Sequence, residues 1–122
     1  MYISHETGKS GEEMATQYLI KEKYKILERN FKSKQGEIDI IALDKKEIVF
    51  IEVKSRTSKA YGNPKDAVDT KKKKHIYNTA QYYTYIHNLE DEPIRFDVIE
   101  IYIMNKVYKL NHIKQAILER PK

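Results

Sequence analysis

The sequence predicts an α/β domain in which a mixed β-sheet is flanked by helices. Two runs rich in Ile, Val and Phe, residues 38–43 and 48–53, have the composition of strands and are separated by four polar residues. Apolar residues recur at helical spacing in residues 4–23 and 71–88. At 122 residues, with 34% charged and 40% hydrophobic residues, the chain is long enough for one core and too short for two. We therefore expect a single domain spanning residues 1–122.

The first predicted elements are a helix over residues 4–23 and a strand over residues 24–31. The side chains that recur on one face of the helix are Met14, Ala15, Tyr18 and Leu19. Gly8 and Gly11 weaken the first half of this helix, because glycine is a poor helix former. The strand takes its apolar surface from Ile26, Leu27 and Phe31.

The two central runs predict a β-hairpin whose register decides where the acidic side chains lie. If residues 45–46 form a two-residue loop, Asp44 pairs with Glu47. The facing pairs further along are Leu43 with Ile48, Ile41 with Phe50, and Asp39 with Glu52. Directly opposed residues of an antiparallel pair have Cβ atoms about 4.5–5.5 Å apart. A slip of one residue would instead place Asp39 and Glu52 on opposite faces.

The second half of the chain predicts two helices, two strands and a last helix. Asn63 followed by Pro64 is a good helix start, for a short helix over residues 64–68. Thr70 caps the long helix over residues 71–88. The remaining predicted elements are strands over 94–103 and 107–110 and a helix capped by Asn111. Asp97 lies in an otherwise apolar strand, where a structural hydrogen-bonding role is the simpler interpretation and an extension of an acidic site is the other.

The acidic side chains of the hairpin have the chemistry of a site for Mg²⁺ or Mn²⁺. Side chains alternate along a strand, so Lys54 shares a face with Glu52, and Glu37 shares a face with Asp39. Two close carboxylates repel unless a proton or cation separates them, and carboxylate and backbone carbonyl oxygens suit these hard cations. A lysine beside the metal could orient water or stabilise a phosphate. The plainer interpretation is a solvated, charged strand face.

A basic segment follows this acidic site. Between residues 54 and 74 there are eight Lys or Arg residues against two acids, in a chain whose net charge is +5. Such a segment suits a polyanion. The expected phosphate-binding side chains are Arg56, Lys71, Lys72, Lys73 and Lys74. For Arg56 the alternative is a solvated arginine.

An Asp, then a hairpin, then Glu-Val-Lys resembles the core of the PD-(D/E)XK nuclease superfamily. The sequence resembles more closely the YraN family of small bacterial proteins, which is related to Holliday-junction resolvases. The matching residues are Gly8, Glu12, Glu13, Ala15, Arg29, Asn30, 36–39, 50–54, Arg56, 61–64, Lys71 and 95–97. The isolated Glu-Val-Lys would be a weak signal, whereas the ordered set is specific and covers the chain from about residue 8 to residue 98.

The resemblance implies a restriction-endonuclease-like fold with the element order αβββααββα, and nucleic-acid binding. It implies catalytic roles for Asp39, Glu52 and Lys54, with metal held by Asp39, Glu52 and the Val53 carbonyl. It aligns Glu12 with an acidic helix residue that points toward the metal site in the resolvase-like branch; a first-turn Glu also favours a helix N-terminus in its own right. Resolvase-like relatives often dimerise, which leaves a homodimer open.

Composition and motifs argue against several other classes of protein. The chain has no cysteine, no apolar run near the ~18–20 residues that span a bilayer, and no apolar signal region, so we expect a cytoplasmic protein without a membrane partner. The four histidines lack zinc-site spacing, and no phosphate-loop or dinucleotide-binding motif is present.

Three functional hypotheses follow. The first is a metal-dependent nuclease acting on structured or branched DNA, with DNA expected in preference to RNA. The second is a non-catalytic nucleic-acid-binding module on the same scaffold. The third is an interaction protein with neither metal nor polyanion affinity.

Overall fold

A computed structural model describes residues 2–4, 10–57, 70–104 and 107–116. Its elements are β1 (Tyr2–Ser4), α1 (Gly11–Lys21), β2 (Lys25–Ser33), β3 (Gly36–Asp44), β4 (Glu47–Thr57), α2 (Thr70–Ile86), β5 (Ile94–Met104) and β6 (Val107–Ile113). The strands form a six-stranded sheet in the order β1-β6-β5-β4-β3-β2. The pairing of β4 with β5 is parallel and the other pairings are antiparallel. The sheet is therefore mixed and flanked by helices, as the sequence predicts, and is consistent with a restriction-endonuclease-like fold.

The central hairpin has the predicted register from Asp44–Glu47 to Ile40–Ile51, and the predicted facing pair of Asp39 and Glu52 lies one position beyond the paired residues. Asp44 pairs with Glu47, Leu43 with Ile48 and Ile41 with Phe50. Lys45, the first loop residue, has a positive φ of 57°. That conformation belongs to the tight turns that match strand twist, and here a lysine adopts it without the usual Asn or Gly. The register follows from the two-residue loop on which the prediction was conditional, because both strands are buried on both faces and their apolar residues do not alternate.

A separate apolar core covers each face of the sheet. On one face, Met14, Ala15 and Leu19 of α1 are buried against sheet residues that include Ile40 and Ile51. On the other face, the buried apolar residues of α2 are Ile76, Ala80 and Tyr83, and they pack against sheet residues that include Ile41, Phe50 and Phe96. Phe50 lies between Tyr83 and Phe96, with ring centroids 6.0 Å and 5.5 Å away. Together the two cores clamp β3 and β4 in the middle of the domain.

The helix boundaries differ from the sequence prediction at both ends of the chain. Ser4 belongs to β1 and not to the first helix, and α1 begins only after Ser10, whose hydroxyl accepts a hydrogen bond from the Glu13 amide at 3.1 Å. Asn111 does not cap a helix, because it lies inside β6 and pairs with Glu100 of β5. The predicted helix over 64–68, and most of the predicted C-terminal helix, fall outside the described residues. No helix of the described part has the length and apolarity to cross a bilayer.

A buried ionic network ties β5 to the central hairpin. Arg95 donates hydrogen bonds to both carboxylate oxygens of Asp97, at 2.9 Å and 3.0 Å, and reaches Asp44 at 2.9 Å and Glu47 at 3.0 Å. His112 contacts Asp97 at 2.7 Å, which joins β6 to the same network. The structural interpretation of Asp97 is thus the one that the structure supports.

We predict that Asp97→Asn lowers the free energy of unfolding by about 3–5 kcal/mol at pH 7, because it leaves a buried guanidinium with weaker compensation. Burial alone would raise the pKa of Asp97, but hydrogen bonds from His112 and Arg95 lower it below its ordinary value. A lowered folded-state pKa stabilises the protein above the unfolded-state pKa of about 3.9 and loses that effect as pH falls through the folded value. The wild-type advantage should shrink accordingly in urea titrations below pH 4, and equal midpoints at pH 7 would contradict the prediction.

Candidate metal site and nucleic-acid surface

The face of β4 that packs on α2 changes from apolar to charged along the strand. Ile48 and Phe50 are buried in the α2-side core, and by alternation Glu52, Lys54 and Arg56 follow them on the same face. On the opposite face, Val49 and Ile51 are buried under α1. The charged side chains therefore begin where the aromatic packing of Phe50 ends, and they border directly on the core.

Asp39 lies at the end of the β3–β4 ladder. The paired residues run from Asp44–Glu47 to Ile40–Ile51, and Asp39 follows at the next position. Its carboxylate oxygen Oδ2 accepts a hydrogen bond from the backbone N–H of Val53 at 2.8 Å. The Asp39 side chain thus binds the backbone of β4 where the backbone pairing of β3 and β4 stops. This contact holds the carboxylate next to the residues on either side of Val53, which are Glu52 and Lys54.

The strand pair β2–β3 reverses its faces at this position. Arg29 pairs with Ile40 and Phe31 pairs with Ile38, so Asn30 lies across from Asp39. Ile40 belongs to the α1-side core, yet Ile38, two residues away, belongs to the α2-side core. Asn30 has a positive φ of 53°, a conformation that Asn tolerates better than most residues and that interrupts strand alternation.

Arg29 and Asn30 anchor the acidic start of α1. The Asn30 amide donates to Glu12 Oε1 at 2.8 Å, and Arg29 contacts Glu12 at 3.3 Å and Glu13 at 3.1 Å. Glu12 is therefore held by Arg29 and Asn30, and α1 lies on the sheet face opposite to the one that carries Glu52. Sequence reasoning had no role for Arg29 or Asn30; their spacing from Glu12 carries no signal, because the contact depends on how α1 packs on β2.

Lys72 of α2 contacts Glu52 directly. Its Nζ lies 2.6 Å from Glu52 Oε1, and it interacts with Lys54 as well. The sequence predicted Lys72 as one of several phosphate-binding lysines and did not connect it to Glu52. Of the others, Lys71 and Lys74 are exposed and Lys73 is half-buried on α2. The structure brings Asp39, Glu52, Lys54 and Lys72 together, whereas the described contacts of the Glu12 side chain are with Arg29 and Asn30.

The four charged groups perturb one another. Burial raises the pKa of Asp39, helped by the charge of Glu37, although the Val53 amide opposes the rise. Burial likewise raises the pKa of Glu52, and the charge of Asp39 adds to it against the hydrogen bond from Lys72. The pKa of Lys54 is lowered by burial and by Lys72, whereas the Glu52 contact raises the pKa of Lys72 despite its partial burial. The site thus has two carboxylates with raised pKa values beside two lysines. A divalent cation between the carboxylates would reduce their mutual repulsion.

Two further residues extend this face. The Nε of Arg56 is buried and has no hydrogen-bond partner among the described residues, although buried donors are nearly always paired. Glu100, buried on β5, lies beside Lys54 in the parallel register and is bonded to Asn111 at 3.2 Å. Sequence reasoning missed Glu100, and the available signal was a charged residue inside an apolar strand.

The fold and this face define a restriction-endonuclease-like α/β protein with an acidic pair and lysines at the end of its central hairpin. Residues 11–101 match the model of the uncharacterised protein family UPF0102. The chain is 49% identical over 111 residues to a UPF0102 protein of Clostridioides difficile, covering 91% of this chain and 96% of the relative. It is 50% identical over 112 residues to one of Caldanaerobacter subterraneus, covering 89% and 92%. The chain belongs to the UPF0102 family, which confirms the resemblance to YraN proteins.

We predict that Asp39→Asn stabilises the fold at pH 7 by about 0.5–2 kcal/mol, the usual gain from relieving a costly functional position. The pKa of Asp39 is raised, so the folded state is penalised above the unfolded-state pKa, and the gain should vanish as pH falls toward 4. Asparagine retains an acceptor for the Val53 amide. Denaturant titration at both pH values measures the effect, with exposed Asp91→Asn as control; a lower stability of Asp39→Asn at pH 7 would refute it.

Proposed function

We propose that this protein is a metal-dependent endonuclease that hydrolyses phosphodiester bonds, with structured or branched DNA as its substrate class. The observation that carries the proposal is the convergence of Asp39, Glu52 and Lys54 on one face, next to the core and beside the basic start of α2. An acidic pair flanked by lysines provides for both a cation and a phosphate.

The donor set fits Mg²⁺ or Mn²⁺. Both carboxylates have raised pKa values through burial and mutual charge, and Asp39 is oriented by the Val53 amide. Asp39, Glu52 and the Val53 carbonyl would hold the ion, with Glu12 as an auxiliary carboxylate. A bound divalent cation would lower the pKa of water and offset charge on the phosphate.

Lys54 has a role at the scissile phosphate in this proposal. Hydrolysis joins a water oxygen to phosphorus, breaks the bond to one sugar oxygen and places a proton on that leaving oxygen. Lys54 follows Glu52 on the strand face and has a lowered pKa, which favours orienting the attacking water or neutralising the phosphate oxygens. Arg56, whose buried Nε has no partner in the described part of the chain, is suited to a neighbouring phosphate.

We predict that wild-type protein with Mg²⁺ or Mn²⁺ cleaves at least one substrate in a panel of linear, flapped and four-way DNA with matched RNA. Glu52→Gln and Lys54→Ala should each lower the rate by at least about 100-fold, the scale of losing an electrostatic or acid–base group. Glu90→Gln and Lys46→Ala remove exposed charges, the first after α2 and the second in the hairpin loop at the opposite end of the β3–β4 ladder, and serve as controls. A wild type that cuts nothing, or variants that cut equally well, would defeat the catalytic proposal.

A second candidate is a nucleic-acid-binding module without catalysis. The observation that favours it is the Lys72–Glu52 ion pair, since a protein cation already compensates one carboxylate of the pair. This candidate also uses the lysines of α2, but it needs no metal. Metal titration by calorimetry separates the two, because binding alone requires no Mg²⁺ or Mn²⁺ affinity.

Under either candidate, we predict salt-dependent DNA binding that depends on α2. Changing Lys71, Lys73 and Lys74 to Gln should weaken binding and reduce the slope of log affinity against log salt by about 0.9 for each phosphate that is no longer neutralised. The matched control changes Lys21, Lys23 and Lys25 to Gln, which removes the same charge from the segment that joins α1 to β2. Fluorescence anisotropy over about 50–200 mM salt, the range in which such charges act, measures both. Equal effects of the two triple variants would show that only net charge matters.

A further inference from the structure

Lys72 reaches the acidic site from α2 and forms an ion pair there. Its Nζ lies 2.6 Å from Glu52 Oε1. The Glu52 side chain is only 12% exposed, whereas the Lys72 side chain is 41% exposed. The carboxylate is therefore fixed next to the core, and the lysine reaches it from the solvent side.

The charge of Lys72 acts on both carboxylates. It lowers the pKa values of Asp39 and Glu52 against the burial that raises them. Lys54 has the same sign of effect but comes from β4 itself, whereas Lys72 comes from a different element. Lys72 thus brings a positive charge from α2 to the two carboxylates, at the place that a bound cation would also occupy.

We propose that Lys72 is a tethered cation that holds Glu52 when no divalent ion is bound and leaves Glu52 when the ion arrives. The inference rests on the proposed metal site. The released ammonium joins Lys71, Lys73 and Lys74 at the phosphates, so that metal loading and polyanion binding reinforce each other. Lys72 is in this account a positioning residue, acting through Glu52 and not on the reacting bond.

Because the Lys72 side chain is partly exposed, breaking its ion pair with Glu52 costs little free energy. A half-exposed lysine ion pair contributes only modestly to stability, and the flexible four-carbon stem lets the ammonium move into water. The Arg95–Asp97 pair is the contrast within the same protein, since its side chains are 7% and 0% exposed and their bonds are multiple. That pair has the features of a permanent support, and the Lys72–Glu52 pair has those of an exchangeable contact.

The test is calorimetric titration of Mn²⁺ into wild type, Lys72→Met and Lys72→Arg at one fixed ionic strength. Lys72→Met removes the competing cation, so Mn²⁺ should bind about fivefold more tightly, the upper end for loss of a half-exposed ion pair. Lys72→Arg should bind Mn²⁺ more weakly than wild type, because guanidinium pairs with carboxylates through two parallel hydrogen bonds. Lys74→Met removes one charge from the same helix and should remain within about twofold of wild type.

Tighter Mn²⁺ binding by Lys72→Met together with weaker Mn²⁺ binding by Lys72→Arg supports the inference. Removing a lysine with a merely structural role would not increase the affinity for Mn²⁺. If wild type binds Mn²⁺ and Lys72→Met binds it equally or more weakly, the inference fails and the proposed metal site stands. If Lys72→Met binds Mn²⁺ and wild type does not, the ion does not displace Lys72, so the exchange and the proposed activity of wild type both fail. If neither binds, both fail. Circular dichroism checks folding first, and Lys72→Arg decides alone if Lys72→Met does not fold.

Discussion

The end of the β3–β4 ladder is the constraint on which the candidate site depends. Backbone pairing runs to Ile40–Ile51 and then gives way to one side-chain contact, from the Val53 amide to Asp39. That contact lets the two strands diverge without leaving the amide unpaired, and it orients a carboxylate beside Glu52. Because β3 and β4 are clamped between two cores, the site is held on rigid elements and not on loops.

The domain handles charge in two different ways. Around Asp97 the ions are buried and saturated with partners from β5, β6 and the hairpin turn, an arrangement that supports the fold. Around Glu52, two carboxylates lie close together and the pKa of Glu52 is raised. Lys72, which contacts Glu52, remains partly exposed to solvent. In the first arrangement each charge meets an opposite one. The second arrangement keeps two partly buried carboxylates whose pKa values are raised, a local cost of the kind that functional positions often carry.

Much of the architecture was predictable, and the errors have physical causes. The hairpin register followed from the length of the loop between two apolar runs, which is a local property of the chain. The predicted helix boundaries were wrong where strand pairing overrides local signals. Ser4 pairs with Val107, and Asn111 pairs with Glu100 instead of capping a helix. The metal, substrate and catalytic roles remain predictions. The family assignment did follow from an ordered set of residues, and it is confirmed.

The amino-acid sequence alone determined the fold class, the hairpin and the shared face of Glu52 and Lys54, because strand alternation and composition act over neighbouring residues. Only the tertiary structure decided that Lys72 meets Glu52, that Arg29 and Asn30 anchor Glu12, and that Glu100 lies beside Lys54. Each of these contacts joins elements far apart in the chain. Their geometry depends on how helices pack on a twisted sheet and where a strand pair reverses its faces, and no local pattern of residues encodes that information.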